Sequence, residues 1–387
     1  MPHYKYLIVG GGMTADAAAR AIRKIDSNGS MGIVSAETVP PYDRPPLSKK
    51  LWTGEPLESI WRKTESLGAD LHVGRTIQSI DPGKKSTVDD QGRVRTFDKL
   101  LLATGGAVRR LPFGTGQIIY FRTLRDYEQL RKLAETKSRF AVIGGGFIGS
   151  EIAAALSMVG RDVVLVFPGE GIGSNLFPLE LSLFLNDYYR KKGVDVWAGE
   201  SAVGLKTNAN DFSLETRGHG AIPVDGVVAG IGTQPNVELA KAAGLKVENG
   251  IAVDSFLRTS HPDIYAAGDV ASFYNPALDE RLRVEHEDNA NTMGQCAGRN
   301  MAGESVAYDH LPYFYSDLFE LGYEAVGQVD SRLETVADWK EPFQEGVIYY
   351  LRNNRVRGVL LWNVWGQLKA ARQLIAEPGP FRAEDLK

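Results

Sequence analysis

Two similar stretches decide the fold of this chain: Phe140-Ala-Val-Ile-Gly144-Gly-Gly146-Phe147-Ile-Gly149-Ser-Glu151 and Tyr6-Leu-Ile-Val-Gly10-Gly-Gly12-Met13-Thr14-Ala15. Each is an apolar run that breaks into glycines and then into a helical pattern, which is the layout of a dinucleotide-binding strand, turn and helix. The first glycine permits the turn, the second lets backbone N–H groups approach a pyrophosphate, and a small third residue lets the helix pack on the strand. Two such turns predict two bound nucleotides.

The composition is that of a soluble globular protein. The 387 residues predict two or three domains, and 43% apolar and 24% charged residues can build a large core. Net charge is −4 without a dense basic tract, so we expect no nucleic-acid partner. Three glycines and Glu151 interrupt the apolar stretch 140–160, so we expect no transmembrane segment. The first motif begins at Gly10, which leaves no room for a leader and favours a cytoplasmic protein.

Cysteine and histidine usage narrows the chemistry. Cys296 is the single cysteine, so the chain cannot form an intrachain disulfide, which excludes a pair of redox-active thiols. The histidines outside the segment 283–290 lack the spacing of metal ligands, and we expect no metal site.

A second strand and a proline-rich segment follow the first helical pattern. Glu37 ends the strand that begins at Gly32, where an acidic residue can accept hydrogen bonds from an adenosine ribose. Four prolines between positions 40 and 46 stiffen the next loop, which presents Arg44 and Lys49. Arginine suits a diphosphate, while lysine can place a point charge near an electron-accepting ring.

The segment from Pro41 to Lys49 resembles the signature of the ferredoxin-reductase-like FAD/NAD(P)H oxidoreductases. This family includes reductases of bacterial oxygenases, monodehydroascorbate reductases and apoptosis-inducing factor. Similarity to the apoptosis-inducing factor branch is greatest over 227–337 and 346–375, without a leader and without the long insertion between Trp339 and Gly346. No apoptotic role is therefore expected.

The resemblance implies an α/β fold with two Rossmann-like dinucleotide-binding domains, the NAD domain being inserted in the FAD domain, and a small C-terminal α+β antiparallel domain. The expected boundaries are 1–106 with 233–311 for FAD, 107–232 for NAD, and 312–387 for the C-terminal domain that covers the flavin.

The resemblance also implies site residues. Those expected on the FAD side are Gly10, Gly12, Met13, Thr14, Ala15, Glu37, Arg44, Lys49, Ile77, Thr104, Gly105, Arg122, Asp269, Glu285, His286 and Tyr315, the last replacing a family tryptophan. Those expected on the NAD side are Gly144, Gly146, Phe147, Ile148, Gly149, Glu151, Glu170, Gly232, Glu285, Glu324 and Asn363. For the C-terminal aromatic residues, ordinary core packing is the alternative.

NADH is favoured over NADPH, because no Arg or Lys follows the strand Asp162 to Phe167 to neutralise a 2′-phosphate. The family glutamate after this strand is offset by one position, to Glu170.

The catalytic expectation is an ion pair between Lys49 and Glu151. Hydride would pass from C4 of NADH to flavin N5, with Lys49 stabilising the negative charge that develops on the ring and Glu151 holding Lys49. Phe147 would act as a lid over the nicotinamide.

The expected function is an FAD-dependent NADH oxidoreductase without a redox-active disulfide. Its electrons would pass to a ferredoxin or rubredoxin, a quinone or oxygen, and a homodimer is possible. The alternative is a redox sensor resembling apoptosis-inducing factor, in which NADH forms a long-lived charge-transfer complex that changes conformation or dimerisation.

Overall fold

The computed structural model describes residues 1–208 and 211–386. Residues 209, 210 and 387, which fall inside the expected NAD-binding and C-terminal domains, lie outside the described residues. The chain divides into two compact units. The first unit consists of residues 1–44, 57–107 and 234–313, and the second of residues 45–56, 108–233 and 314–387.

The first unit is built on a seven-stranded mixed sheet. Its strands, in spatial order, are Asp70–His72, Met31–Val34, His3–Val9, Val94–Leu102, Ser86–Asp89 and Ile77–Asp81, with Ile264–Ala266 also paired to Val94–Leu102. The strands from Asp70–His72 to Val94–Leu102 are parallel, as is the pairing with Ile264–Ala266. The last two strands pair antiparallel, as an extension of the sheet.

Two long helices, Met13–Ile25 and Glu287–Met301, pack closely in this unit. A Cβ added to Gly294 would lie 2.5 Å from Thr14 O, and one added to Gly298 would lie 2.3 Å from Ala18 O, so only glycine permits this separation. The remaining elements are a four-stranded sheet and short helices: Val247–Glu248, Gly250–Ala252, Ala271–Asn275, Glu280–Leu282, Leu57–Ile60, Thr64–Leu67, Glu238–Ala242 and Gly268–Val270.

The second unit contains a five-stranded parallel sheet in the order Val194–Ala198, Asp162–Phe167, Arg139–Ile143, Gly226–Ala229 and Ile118–Tyr120. All four residues of Gly226–Ala229 are buried, as expected for a parallel strand covered on both faces. The helices of this part are Leu124–Thr136, Phe147–Met158 and Leu179–Lys191, and an antiparallel sheet is formed by Ala202–Asn208, Asp211–Thr216 and Gly220–Val224.

The C-terminal part of the second unit is a five-stranded sheet in the order Tyr313–Leu318, Leu321–Gly327, Arg355–Trp362, Glu345–Arg352 and Glu334–Glu341, followed by the helices Leu368–Ala376 and Ala383–Leu386. The pairings among the last four strands are antiparallel. The α/β class with an antiparallel C-terminal sheet is thus confirmed.

The proline-rich segment differs from the stiff loop expected. Pro45–Ser48 is a short 3₁₀ helix, because proline fixes φ near the helical value and lacks the N–H that a first helical turn leaves unpaired. A second 3₁₀ helix, Lys50–Thr53, follows it. These residues belong to the second unit, whereas Arg44 belongs to the first. Strands Gly106–Val108 and Thr233–Pro235 lie where the chain passes between the units.

Candidate functional site

The two glycine turns have the backbone geometry that their sequences predict. Gly10 and Gly144 have φ values of 121° and 116°. A Cβ added to them would lie 2.0 Å from Ala103 O and 2.4 Å from Gly230 O, so each turn requires glycine. A Cβ on Gly149 would lie 1.7 Å from Gly144 O, which explains the small residue at the third position. Each helix begins at the residue after the middle glycine, earlier than the helical pattern suggested.

The middle glycines leave room for a ligand. Gly12 and Gly146 are the N-caps of the two helices, and within the described chain neither helix receives a side-chain hydrogen bond at its cap. A Cβ built on either glycine meets nothing within 4 Å. The space beside each glycine at the helix N-terminus is therefore open, and the helix dipole favours an anion there. Both turns fit the pyrophosphate of a dinucleotide.

Residues around the first turn belong to its packing. Ala15 is buried, Met13 and Thr14 are largely buried, and Thr14 Oγ1 contacts Gly268 closely enough to exclude a Cβ there. Ile77 lies in the core at the start of strand Ile77–Asp81.

Glu37 and Arg44 are in contact in the first unit. Arg44 Nη2 donates to Glu37 Oε1, and the Tyr42 hydroxyl donates to Glu37 Oε2 over 2.6 Å. The guanidinium carbon of Arg44 also lies 5.2 Å from the Tyr42 ring centroid. Although burial opposes it, the charges of Tyr42, Glu37 and Asp269 raise the pKa of Arg44 above its ordinary value. Sequence reasoning missed Tyr42, whose hydroxyl fixes the glutamate.

Arg283 forms hydrogen bonds with Asp269 and Glu285, two expected FAD contacts that the sequence did not connect with each other. Its Nη1 donates to Asp269 O over 3.1 Å and to Glu285 Oε1 over 2.5 Å. His286 is the N-cap of helix Glu287–Met301, and burial lowers the pKa of this imidazole to about 4. It is therefore neutral at pH 7. In the sequence, the one indication that Arg283 contacts these residues is its position two residues before Glu285.

The Ala-Thr-Gly junction is closed by a reciprocal pair of hydrogen bonds. Thr104 Oγ1 donates to Asn236 O over 3.0 Å, and Asn236 Nδ2 donates to Thr104 O over 2.8 Å. Gly105, with φ of 64°, accepts from Asn236 N at 3.0 Å. These bonds fix the point where the chain leaves the first unit.

A buried carboxylate organises the polar site of the second unit. Glu151, on helix Phe147–Met158, is 5% exposed and accepts at Oε1 from Lys49 Nζ and from Ser316 Oγ over 2.6 Å. Its Oε2 accepts from Ser48 Oγ over 2.5 Å. Lys49 is 10% exposed, and its Nζ lies 5.4 Å from the Tyr315 ring centroid. The expected ion pair is confirmed, while its role in flavin chemistry stays a prediction.

Phe147 lies at the first helical position after the second turn. Its ring packs edge-on to Phe314 at 5.4 Å and contacts Tyr323 at 6.5 Å. Ile148 contacts Gly230, where a Cβ would approach it to 3.1 Å. The aromatic contacts hold the ring at the helix N-terminus, beside the proposed anion site.

The remaining residues expected on the NAD side occupy different environments. Glu170 is exposed, and its carbonyl accepts from Asn186 Nδ2 at 2.8 Å. Gly232 has φ of 91° and its carbonyl accepts from Arg109 N. Burial raises the pKa of Glu324, whose Oε2 has no hydrogen-bond partner among the described residues. Both polar atoms of the Asn363 side chain bond to backbone groups: Oδ1 accepts from Gly322 N, and Nδ2 donates to Gln344 O.

Three residues expected on the FAD side, Lys49, Arg122 and Tyr315, belong to the second unit, and Glu285, expected to contact both cofactors, belongs to the first. Arg122 donates its backbone N–H to Asp126 at the capped start of helix Leu124–Thr136. Within residues 1–208 and 211–386, no group of three or more His, Cys, Asp or Glu could hold a metal ion. Of the helices in these ranges, none has the length and apolar character needed to cross a bilayer.

Two glycine turns of this geometry, each opening a helix at the end of a parallel strand, define a protein that binds two dinucleotides. The chain belongs to the pyridine nucleotide-disulphide oxidoreductase family, whose model matches residues 4–294. A second model, the C-terminal domain of mitochondrion-associated apoptosis-inducing factor, matches residues 297–342 and 337–377. Members of the first family use FAD and NAD(P)H, so these are the cofactors of this fold.

Characterised relatives cover almost the whole chain. The ferredoxin reductase subunit of 5,5'-dehydrodivanillate O-demethylase from Sphingobium is 34% identical over 92% of this chain and 89% of its own. Apoptosis-inducing factor 1 from Dictyostelium discoideum is 33% identical over 96% and 78%. The crystal structure of the covalent putidaredoxin reductase–putidaredoxin complex superposes with a TM-score of 0.90 at 30% identity, covering 98% of this chain and 94% of that one.

Proposed function

We propose that this chain is an FAD-dependent NADH oxidoreductase that delivers electrons to a small carrier of the ferredoxin or rubredoxin type. The observation that carries the proposal is the buried Lys49–Glu151 pair, which lies beside an aromatic ring and follows a turn shaped for a dinucleotide. Relatives named as ferredoxin reductases, and the putidaredoxin complex, support the choice of carrier.

When bound, FAD and NADH supply hydride transfer and single-electron delivery, which no protein side chain provides. The chain's own residues bind and orient. The N–H groups after Gly12 and Gly146 hold the two pyrophosphates, and Arg44 adds a guanidinium at the first. Lys49 keeps a fixed positive charge where negative charge develops, and Glu151 holds it in place.

The remaining residues of the two sides are assigned as the resemblance implies. Residues 1–106 and 233–311 would bind FAD, 107–232 would bind NADH, and 312–387 would cover the flavin. The proposed nucleotide is NADH, because Glu170 is the charged residue after strand Asp162–Phe167 and would repel a 2′-phosphate.

The single, unreactive cysteine of the chain favours direct delivery of electrons from the flavin to a carrier, without a catalytic disulfide between them. Burial raises the pKa of Cys296, the single cysteine, to about 11, so its thiol stays protonated and unreactive. A catalytic disulfide is therefore no part of the proposal. A quinone is the second candidate acceptor, and the proposed setting is the reducing cytoplasm, where such a chain could act alone or as a homodimer.

The test is steady-state turnover of the FAD-loaded protein with NADH and a panel of acceptors. A [2Fe–2S] ferredoxin, a rubredoxin and a water-soluble quinone are each compared with oxygen, and NADPH replaces NADH in a parallel series. The proposal requires carrier reduction well above the oxygen rate and a preference for NADH. Equal rates with every acceptor, or turnover only with NADPH, would contradict it.

One observation favours a second candidate, a redox sensor: the C-terminal sheet matches the model of apoptosis-inducing factor over residues 297–377. In that function the reduced protein persists and its association state is the output. Sedimentation of the protein with and without excess NADH under anaerobic conditions separates the two, since a reductase keeps one association state and a sensor changes it.

A further inference from the structure

A polar chain runs from the C-terminal sheet to the carboxylate of Glu151. Ser316, on strand Tyr313–Leu318, is 1% exposed and donates to Glu151 Oε1 over 2.6 Å. Tyr323, on the adjacent strand Leu321–Gly327, is 2% exposed. Neither hydroxyl is in contact with bulk water.

The direction of each hydrogen bond in this chain is fixed. A carboxylate paired with lysine can only accept, so the single hydrogen of Ser316 must point to Glu151. The Ser48 hydroxyl donates to the other carboxylate oxygen in the same way, so both hydroxyl dipoles point towards Glu151.

Aromatic packing anchors the strand next to the one that carries Ser316. The Tyr323 ring stacks on Trp362 at 5.8 Å with an interplanar angle of 9°, and Phe177 packs edge-on to it at 5.2 Å. Because strands Tyr313–Leu318 and Leu321–Gly327 are neighbours in the sheet, Ser316 cannot move far without disturbing this core. Donors fixed before charge develops cost no reorganisation when it does.

We propose that Ser316 is a positioning residue for the Lys49–Glu151 pair, so that the C-terminal sheet sets the orientation of the lysine. Glu151 has two carboxylate oxygens. Ser316 competes with Lys49 for space at Oε1, and together with Ser48 at Oε2 it fixes the plane of the carboxylate and hence the direction in which Lys49 Nζ points. The catalytic consequence rests on the proposed function, whereas the effect on Lys49 does not.

The chain offers matched controls. Ser182 and Tyr350 are buried in the second unit, and within the described chain their hydroxyls have no hydrogen-bond partner. Ser182→Ala therefore removes the same atom as Ser316→Ala, and Tyr350→Phe removes a second buried hydroxyl, in both cases without touching Glu151. Ser316→Thr keeps the hydroxyl and serves as the conservative rescue.

The first measurement is acylation of Lys49 by a water-soluble amine reagent, followed by peptide mass spectrometry on the FAD-bound protein. Ser316→Ala should increase the labelling rate of Lys49 severalfold, because a less ordered carboxylate releases the amine more often. Ser316→Thr and both control variants should label at the wild-type rate. Ser316→Ala should add nothing in a Glu151→Gln background, since the chain acts through that carboxylate.

The second measurement is the limiting rate of flavin reduction at saturating NADH, by anaerobic stopped flow. Loss of one hydrogen bond to a charged group should lower this rate by about tenfold in Ser316→Ala, with the apparent Kd for NADH unchanged. Wild-type labelling and a wild-type rate in Ser316→Ala would overturn the proposal. Altered labelling in a protein that NADH does not reduce would leave the positioning chain standing and overturn the proposed function instead.

Discussion

Replacing Lys49 separates the structural role of its ion pair from its catalytic role. Lys49→Met leaves Glu151, 5% exposed, with two hydroxyl donors and no counter-charge. Removing one partner of a buried pair costs about 3–5 kcal/mol. We expect the lower end, about 3 kcal/mol, because Ser48 and Ser316 still solvate the carboxylate.

The loss of stability should be visible as a lower melting temperature. The second unit has about 200 residues, for which 1 kcal/mol shifts Tm by about 2–4 °C, so Lys49→Met should melt about 6–12 °C below wild type. In Lys49→Met/Glu151→Gln both charges are gone, and most of this loss should be recovered, since replacing a whole buried pair is often neutral.

The rate of flavin reduction should not recover with the stability. Removal of a fixed group that stabilises developing charge typically costs about 10²–10³-fold, and both the single and the double variant lack it. The assay is anaerobic stopped flow at saturating NADH, with Lys192→Met as control, because the exposed pair of Lys192 with Glu320 contributes little. A double variant that is reduced at the wild-type rate would refute a catalytic role for the lysine.

Three further predictions concern other parts of the chain. Gly12 has φ of −94° and open space around a new Cβ, so the Gly12→Ala apoprotein should melt normally but bind FAD at least about tenfold more weakly. Gly149→Ala should instead lower the Tm of the apoprotein. Differential scanning fluorimetry measures the melting temperatures, and FAD titration measures the affinities. Arg62→Met should cost about 2 kcal/mol in chemical denaturation, because it removes one charged hydrogen-bond partner of the fully buried Asp16 while Arg20 still pairs with that carboxylate; an unchanged midpoint would contradict this. A hydrogen bond from His219 lowers the pKa of Glu200 from 4.5 to about 2. The stabilisation of the fold by this carboxylate is therefore complete above pH 4.5 and is lost as pH falls towards 2. In Glu200→Gln the melting temperature should depend less on pH in that window, and an unchanged pH dependence would argue against this role.

Local patterns predicted the elements of the fold. The apolar runs before Gly10 and Gly144 are strands, and the helical patterns after them are helices. Each helix begins earlier than its apolar pattern, at Met13 and Phe147, because a glycine N-cap leaves the first turn free of the amphipathic signal. Strand Asp162–Phe167 has the predicted bounds, since the residues from Val163 to Phe167 are all apolar and buried.

Long-range polar contacts could not be predicted in the same way. Ser316 is separated from Glu151 by 165 positions, and a buried serine has the same local pattern as a solvated one. Arg62 donates hydrogen bonds to Asp16, Asp43 and Asn291, which are distant from one another in the sequence. No local pattern around Arg62 indicates that it joins these three residues. Such contacts arise from the fold rather than from local periodicity.

The Lys49–Glu151 pair was predicted because the resemblance supplied both residues. The neighbours that fix the pair were missed for a physical reason. Ser48 lies in a segment read as a loop, and its 3₁₀ turn is what aims the hydroxyl at the carboxylate. Tyr42 was read only as part of the proline-rich signature, although its hydroxyl binds Glu37.

The central claim is that electrons from NADH leave this protein for a carrier. The most direct measurement mixes the FAD-bound protein anaerobically with NADH in a stopped-flow instrument and then with an oxidised [2Fe–2S] ferredoxin, following flavin absorbance throughout. We expect rapid bleaching by NADH and rapid recovery on adding ferredoxin, both slowed in Lys49→Met. A flavin that bleaches slowly and stays reduced in the presence of ferredoxin, and then in air, would contradict it.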